Sequence, residues 1–199
     1  MSAINKLGTA LAISTLTLAM FGCKGQSNSA SAPQTVTSAS ISSTSQNSIT
    51  LTPIETLSIS DYSLDLCIKN TGREYIEEIT TLVCNNKGIQ YLEGIEALTE
   101  LKSLYLSFNE ITDITPLVDL KNLKTLYLSG NRISNLDALS ELTELTDLGI
   151  QKNNVQDLSP LQSLSSLKSL HTHSNQIQDF TILSALELDK LSGQNRQES

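Results

Sequence analysis

A repeat of 22 residues is the feature that most constrains how this chain can fold. It is marked by four asparagines at a constant interval: Asn109, Asn131, Asn153 and Asn175. Six apolar columns keep the same interval, beginning at Leu104, Leu106, Ile111, Ile114, Leu117 and Leu120. Their single polar member is Thr172. A fixed period of this length predicts a solenoid in which each repeat packs on its neighbours.

One more copy of the pattern lies upstream. It runs from Leu82 to Leu101, with Lys87 in place of the asparagine. In this copy Cys84 occupies one of the apolar columns, which predicts that its side chain points into the core. The repeats therefore cover residues 82–186, more than half of the chain.

Each repeat contains a Leu-x-Leu-like triplet that predicts a short strand. Side chains alternate along a strand, so the two apolar residues share one face and their neighbours face outward. Stacked about 4.8 Å apart, these triplets would merge their apolar columns into one core. The asparagine follows where the chain must turn, and its amide can bond the turn backbones of its own and adjacent repeats. We interpret it as scaffold, together with turn residues Asp113, Asn135, Asp157 and Asp179.

The stretch LYLSFNEITDITPLVDLKNL, residues 104–123, resembles the leucine-rich repeat in the 22-residue form of bacterial internalins. The resemblance implies an α/β fold: a right-handed solenoid with a parallel β-sheet on its concave side and 3₁₀ or irregular segments on its convex side. In residues 51–81 the partly helical spacing of apolar residues predicts a short helical N-terminal cap. Residues 187–199 lose the register, which predicts a degenerate C-terminal cap, such as a sixth strand, or a tail.

The first 22 residues have the pattern of a targeting segment. Lys6 precedes an apolar run, Leu7 to Gly22, that is too short and too often interrupted by Ser and Thr for a convincing transmembrane helix. The run leads into MFGC, which resembles the lipobox of bacterial lipoproteins. The resemblance implies cleavage before Cys23 and a lipid anchor on that cysteine, with the membrane as a partner. An ordinary secretory signal followed by a coincidental cysteine is the alternative.

Residues 23–50 follow as a segment rich in Ser, Thr, Ala, Gln and Asn. Such a segment buries too little apolar surface to offset its ordering entropy, which predicts a disordered tether. The anchor and the tether together predict a location at the bacterial cell envelope. Lys24 rather than an aspartate follows the cysteine, which favours the outer membrane if the host is Gram-negative.

Cys67 and Cys84 are the cysteines that remain once Cys23 is assigned to the lipid. In a chain that enters an oxidising compartment, one disulfide between them is the simpler interpretation. It would join the N-terminal cap to the first repeat. The alternative is that Cys84 is only a buried apolar residue.

The residues that flank the strand leucines are predicted to face outward on the concave sheet. We expect a protein partner to bind there, at Tyr105, Ser107, Phe108, Tyr127, Asp147, Gln151, His171 and His173. The two tyrosines would lie on adjacent strands. Such a pair either supplies a binding surface or only stabilises the sheet.

The two histidines, His171 and His173, would share one face about 7 Å apart. A zinc site needs three or four protein ligands, and the expected neighbours Gly149 and Gln151 supply no carboxylate. We therefore predict no metal. A pH-sensitive edge of the binding face, or simply exposed histidines, are the interpretations that remain open.

No nucleophile–base arrangement, Gly-rich phosphate loop or paired-acid site stands out in the sequence, so we predict no enzymatic activity and no cofactor. The formal net charge of −8 and the lack of a visible Lys/Arg cluster argue against a nucleic-acid partner. The sequence thus favours a lipid-anchored envelope protein that binds a protein through its concave face. The alternative is a structural envelope protein that contacts peptidoglycan or another lipoprotein without a discrete ligand.

Overall fold

Residues 50–192 are described by the computed structural model, and they contain one parallel β-sheet. Its six strands lie in chain order: β1 Thr81–Val83, β2 Ser103–Tyr105, β3 Thr125–Tyr127, β4 Asp147–Gly149, β5 Ser169–His171 and β6 Lys190–Ser192. From β1 to β5, each residue of a strand pairs with the residue of the next strand that lies 22 positions further along the chain. The predicted solenoid of the α/β class is therefore confirmed.

Short 3₁₀ helices connect the strands. They lie at Ile95–Ala97, Thr115–Leu117, Asp137–Glu141, Ser159–Ser163 and Thr181–Ala185. Four of them follow an Asp or Asn whose side chain accepts the backbone N–H two residues on, at 2.6–2.8 Å; these are Asp113, Asn135, Asp157 and Asp179. The hydroxyl and the backbone N–H of Thr115 donate to Asp113, and those of Ser159 donate to Asp157. These hydrogen bonds hold the pKa values of both aspartates below their ordinary range.

The apolar columns form one continuous core inside the solenoid. Strand leucines such as Leu104, Leu126 and Leu148 are fully buried. Thr172 occupies its column with only 1% of its surface exposed, and its hydroxyl has no hydrogen-bond partner within residues 50–192. The core therefore tolerates one buried hydroxyl near its C-terminal end.

A ladder of asparagine amides joins each repeat to the next. Asn131 Nδ2 donates to the carbonyl of Leu128 at 2.8 Å and to that of Leu106, in the preceding repeat, at 3.0 Å. Its Oδ1 accepts the N–H of Ile111, also in the preceding repeat, at 3.1 Å. The same three bonds are made by Asn109, Asn153 and Asn175. These hydrogen bonds account for the asparagine column as scaffold, without a role in binding.

The N-terminal cap contains one α-helix, α1 at Tyr62–Lys69, whose Leu64 and Ile68 are buried in the core. A disulfide joins Cys67 of α1 to Cys84 of the first repeat, as predicted. Cys84 is both a core residue and a bonded one. The bridge joins residues that are 17 positions apart in the sequence. Closing a loop of that size stabilises the fold by about 3 kcal/mol on the chain-entropy model.

Asp61 fixes the cap to the repeats with one carboxylate. Its Oδ1 accepts the N–H groups of Ser63 and Leu64 at 2.8 and 3.1 Å, which caps α1. Its Oδ2 accepts the N–H groups of Gln90 and Tyr91 in the first repeat, at 2.8 and 3.3 Å. Burial opposes ionisation here, yet these four donors together hold the pKa of Asp61 below its ordinary value.

At the other end of the sheet, β6 is the degenerate sixth strand. Ser169 pairs with Lys190, one residue short of the regular interval. Leu191 is 39% exposed, whereas its partner Leu170 is fully buried, so the last strand leaves part of the core uncovered. The predicted signal peptide at 1–22, the tether up to residue 49 and the C-terminal residues 193–199 lie outside the described residues.

None of the helices within residues 50–192 is both long enough and apolar enough to span a membrane.

We predict that Asn131→Ala lowers the free energy of unfolding by about 2–4 kcal/mol, because the buried N–H of Ile111 loses its partner and the carbonyls of Leu106 and Leu128 each lose one of two hydrogen bonds. Asn154→Ala, at the exposed neighbour of a ladder asparagine, is the matched control, with an expected change within about 0.5 kcal/mol. Urea unfolding followed by circular dichroism measures both. Equal stability of the two variants would contradict the scaffold interpretation.

Candidate functional site

Three columns of side chains on the sheet face opposite the core form what we call the concave face. The first column contains Thr81, Ser103, Thr125, Asp147 and Ser169. The second contains Val83, Tyr105, Tyr127, Gly149 and His171. The third follows the strands and contains Asn85, Ser107, Ser129, Gln151 and His173. All eight predicted partner-binding residues lie in these columns except Phe108, which follows Ser107.

A stacked tyrosine pair lies at the centre of this face. The rings of Tyr105 and Tyr127 are nearly parallel, with an interplanar angle of 6° and centroids 5.5 Å apart. Both side chains are half-buried. Burial raises the pKa of Tyr127 above its ordinary value, and the nearby carboxylate of Asp147 and phenol of Tyr105 raise it further. The phenol of Tyr127 is therefore neutral at physiological pH. The pair therefore presents apolar area with polar hydroxyl ends.

Gly149 provides the space that the stack needs. It continues the tyrosine column on β4, directly beside Tyr127. A Cβ at this position would lie 2.5 Å from Cδ1 of Tyr127 and 3.0 Å from its Cε1. The ring of Tyr127 thus leans over a residue that has no side chain, and any other residue would displace it.

Phe108 extends the aromatic surface beyond β2. Its φ is 58°, in the left-handed region that a bulky residue rarely adopts, and 56% of its surface is exposed. Gly130 makes room for the ring, since a Cβ there would lie 2.7 Å from Cδ1 of Phe108. Lys152 Nζ lies 6.0 Å from the ring centroid, at the outer limit of a cation–π interaction.

The polar members of the face surround these aromatic rings. Ser107, Asp147 and Gln151 are partly exposed, as predicted for outward-facing positions. Asp147 accepts a hydrogen bond from the hydroxyl of Thr146 at 2.8 Å, whereas Oε1 of Gln151 is buried without a partner within the described chain. Ser129 and Ser169 are instead buried, with 4% and 7% of their surfaces exposed, although outward-facing positions were predicted to be accessible.

The histidines lie at the C-terminal end of the face. His173 is exposed, and His171 is partly buried between two hydroxyls. Nε2 of His171 lies 3.3 Å from Oγ of Ser169, and its Nδ1 contacts Oγ of Ser192. Among the residues that the structure describes, no group of three or more His, Cys, Asp or Glu side chains could hold a metal ion.

Sequence reasoning missed the parts of the site that have no side chain or that come from a later repeat. Gly149 and Gly130 each lie 22 residues after the aromatic residue they accommodate, Tyr127 and Phe108 respectively. Lys152 lies two repeats after Phe108. Aligning every column of the repeat, and not only the apolar ones, would have indicated these positions.

Comparison with known proteins agrees with the repeat. The family described as leucine-rich repeats (two copies) matches residues 77–119 and, overlapping them, 99–141. The chain therefore contains leucine-rich repeats, and its fold is a leucine-rich-repeat solenoid. A search of curated proteins found no similar sequence.

Solved structures with similar folds include internalins of Listeria monocytogenes. The internalin InlF matches with a TM-score of 0.57 at 28% identity, over 71% of this chain and 52% of that chain. The functional domain of InlJ matches with a TM-score of 0.62 at 24% identity, over 72% of this chain and 33% of that one, which shows the fold alone. A leucine-rich-repeat protein of Leptospira interrogans matches with a TM-score of 0.53 at 25% identity, over 60% and 33%. This chain thus spans about half of InlF and a third of the other two.

We predict that Gly149→Ala disrupts the tyrosine stack, because the new methyl group occupies space held by the ring of Tyr127. Near-ultraviolet circular dichroism measures this well, since the chain has no tryptophan to mask the tyrosine signal. Thr81→Ala, at an exposed position of β1, is the control, since it changes an outward-facing residue of the sheet away from the tyrosine stack. An unchanged tyrosine spectrum in Gly149→Ala would contradict the described geometry.

Proposed function

We propose that this chain is a non-enzymatic protein-binding module of a bacterial envelope, anchored by a lipid on Cys23, that binds a partner through its concave face. Stacked repeats generate extended concave surfaces, and leucine-rich-repeat domains commonly bind proteins with them. The similarity in fold to internalins supports this class of function. The lipobox-like MFGC supports the anchor, and Lys24 after the cysteine favours the outer membrane if the host is Gram-negative.

The observation that carries the proposal is an aromatic surface made of the half-buried Tyr105 and Tyr127 and the exposed Phe108. Cross-strand stacking alone would account for a tyrosine pair that stabilises the sheet. It does not account for Phe108, which lies beyond the strand with 56% of the residue's surface exposed. Aromatic residues that are exposed next to one another on a single face are typical of binding hot spots.

The surrounding polar groups would give such a surface its selectivity. Gln151 is partly exposed, and its side-chain amide can donate hydrogen bonds to a bound protein. Asp147 and Ser107 lie beside the aromatic rings and can accept or donate further hydrogen bonds. His171 and His173 form the C-terminal limit of the site. No cofactor is needed for this role.

We predict that Tyr105→Ala combined with Tyr127→Ala weakens partner binding at least about tenfold, as expected when aromatic hot spots are truncated. The partner would be captured in intact cells from a photo-cross-linking residue at position 107. The same cross-linker at exposed position 162, on a 3₁₀ segment between strands, serves as the negative control. Affinity of the purified partner is then measured by calorimetry with the full chain.

The matched control for these substitutions is Tyr62→Ala combined with Tyr91→Ala. Both tyrosines are exposed and lie outside the sheet, so their removal deletes the same groups away from the concave face. Equal affinity of the two double variants would contradict binding at the tyrosine stack. Tolerance of substitutions across the whole concave face would favour a structural envelope role without a discrete ligand.

We predict that Cys23→Ser abolishes incorporation of labelled fatty acid when the full chain is expressed in bacteria, because acylation requires the thiol of that cysteine. The variant should also leave the membrane fraction. Cys67→Ser is the control, since its thiol is expected only in the disulfide and its loss leaves the acylation site intact. Continued labelling of Cys23→Ser would show that the chain has no lipid on this residue.

A further inference from the structure

Strand β1 is the first strand of the sheet, so only one of its two edges is paired with another strand. In a parallel ladder, alternate residues direct both of their backbone groups toward the same neighbouring strand. The N–H of Cys84 donates to a carbonyl of β2 at 2.8 Å, and the carbonyl of Thr80 accepts an N–H of β2 at 3.1 Å. The even-numbered residues therefore face β2, and the backbone groups of Thr81 and Val83 point to the open edge.

Three backbone groups on this open edge have no hydrogen-bond partner within residues 50–192. They are the N–H and the carbonyl of Thr81 and the N–H of Val83. The carbonyl of Val83 lies 3.4 Å from Sγ of Cys67, which has no hydrogen to donate because it is bonded to Cys84. Both edge residues are exposed. The open edge thus presents donors and acceptors at the spacing of a strand, which an extended backbone can match.

A groove of about 490 Å³ leaves room for a ligand along the open edge. Residues 80–83 line it together with residues at and after the C-terminal end of α1, among them Asn70. Its charged lining residues have both signs, with Arg73 and Lys87 next to Glu78. Charge therefore does not select the ligand of this groove, whereas backbone hydrogen bonding can.

The two edge strands of the sheet differ in how they are protected. Natural edge strands are commonly kept from pairing with other chains by a lysine, a proline or a bulge. Strand β6, at the other edge, begins with Lys190. Strand β1 consists of Thr-Leu-Val, without a charge or a proline, and threonine and valine both have high strand propensity. The open edge of β1 is therefore suited to accept another strand.

The open edge is continuous with the concave face. Val83 and Tyr105 are paired neighbours in the second column, and 57% of the surface of Val83 is exposed. Because side chains alternate along a strand, a strand added beside β1 would place every second side chain in these columns. An apolar side chain at the position beside Val83 would extend the surface that Val83 and the tyrosine stack begin.

On the basis of the proposed function, we propose that the protein partner binds by adding an extended segment of its own chain to β1. The backbone of this segment bonds the unpaired groups of Thr81 and Val83, which provides affinity. An apolar side chain of the segment packs on Val83, which provides selectivity. A helical segment does not fit this edge, because its N–H and carbonyl groups bond to each other within the helix.

The test adds a short peptide of alternating valine and threonine, with a lysine at each end, to the full chain. Amide hydrogen exchange is followed by nuclear magnetic resonance. We expect exchange at the N–H groups of Thr81 and Val83 to slow by at least about tenfold, since hydrogen-bonded amides exchange only when the structure opens. Leu82, whose backbone groups face β2, is the internal control and should be protected with or without the peptide. Unchanged exchange at Thr81 and Val83 with saturating peptide would overturn the proposal.

Two substitutions at one position separate the backbone from the side chain. Thr81→Pro removes an outward N–H at the first residue of an edge strand, where proline is tolerated. We expect it to weaken binding of the dye-labelled peptide by at least about tenfold, measured by fluorescence anisotropy. Thr81→Ala keeps the N–H and should bind the peptide nearly as the unmodified chain does. Val83→Lys, which adds the charge that protects other edge strands, should weaken binding as Thr81→Pro does.

The matched control ligand is the same peptide with a methyl group on the backbone nitrogen of every valine and threonine. It has the same side chains but lacks their backbone donors, so we expect it not to bind. Equal binding of the two peptides, or no binding of the unmethylated one, would show that strand addition does not occur. Equal affinity of Thr81→Pro and Thr81→Ala would show the same. If Thr81→Pro does not fold, undiminished binding by Val83→Lys decides against the proposal.

The two proposals fail separately when the captured partner is the ligand. If the tyrosine variant loses the partner and both Thr81→Pro and Val83→Lys keep it, the concave face binds without the open edge, and the strand-addition inference is wrong. If only the edge variants lose the partner, strand addition stands and binding at the tyrosine stack is wrong. If none of these variants affects the partner, both proposals are wrong.

Discussion

The asparagine ladder is the interaction on which the rest of this structure depends. Each amide bonds a carbonyl of its own repeat and two backbone groups of the preceding one, as Asn131 does with Leu128, Leu106 and Ile111. A turn backbone buried without partners would be costly, so each repeat satisfies its polar groups only when its neighbour is in register. This requirement fixes the interval of 22 residues, and with it the alignment of every column on the concave face.

The alignment creates the candidate site from residues that are far apart in the chain. Tyr105 and Tyr127 stack because their strands pair in register, and Gly149 provides space for the second ring. The same register joins the backbones of Lys102 and Lys124, since the carbonyl of Lys102 accepts the N–H of Lys124 at 2.9 Å. A scaffold that repeats its apolar residues and varies the outward ones can change its ligand without changing its core.

Much of the fold could be predicted because the same pattern of apolar residues and asparagine recurs in each repeat. The columns gave the strands, the core and the role of Asn131, and Cys84 in a core column indicated a partner in the cap. The predictions were weaker where the repetition ends. The N-terminal cap depends on Asp61, a single residue whose four N–H donors come from two separate segments. At the C-terminal end the lost register left a sixth strand and a tail as alternatives, and the structure has the strand, paired one residue early.

The sequence by itself determined the solenoid, its period and which residues face inward, because side-chain alternation and burial act locally and recur in each repeat. The tertiary structure alone decided how the outward residues combine: the parallel stacking of Tyr105 on Tyr127, the fit of Phe108 over Gly130, and the burial of Ser129. These depend on the contact of side chains across repeats, where distances of a few tenths of an ångström separate a clash from a stack. Alternation along a strand determines which side of the sheet a residue faces, whereas packing across repeats determines the shape of the resulting surface.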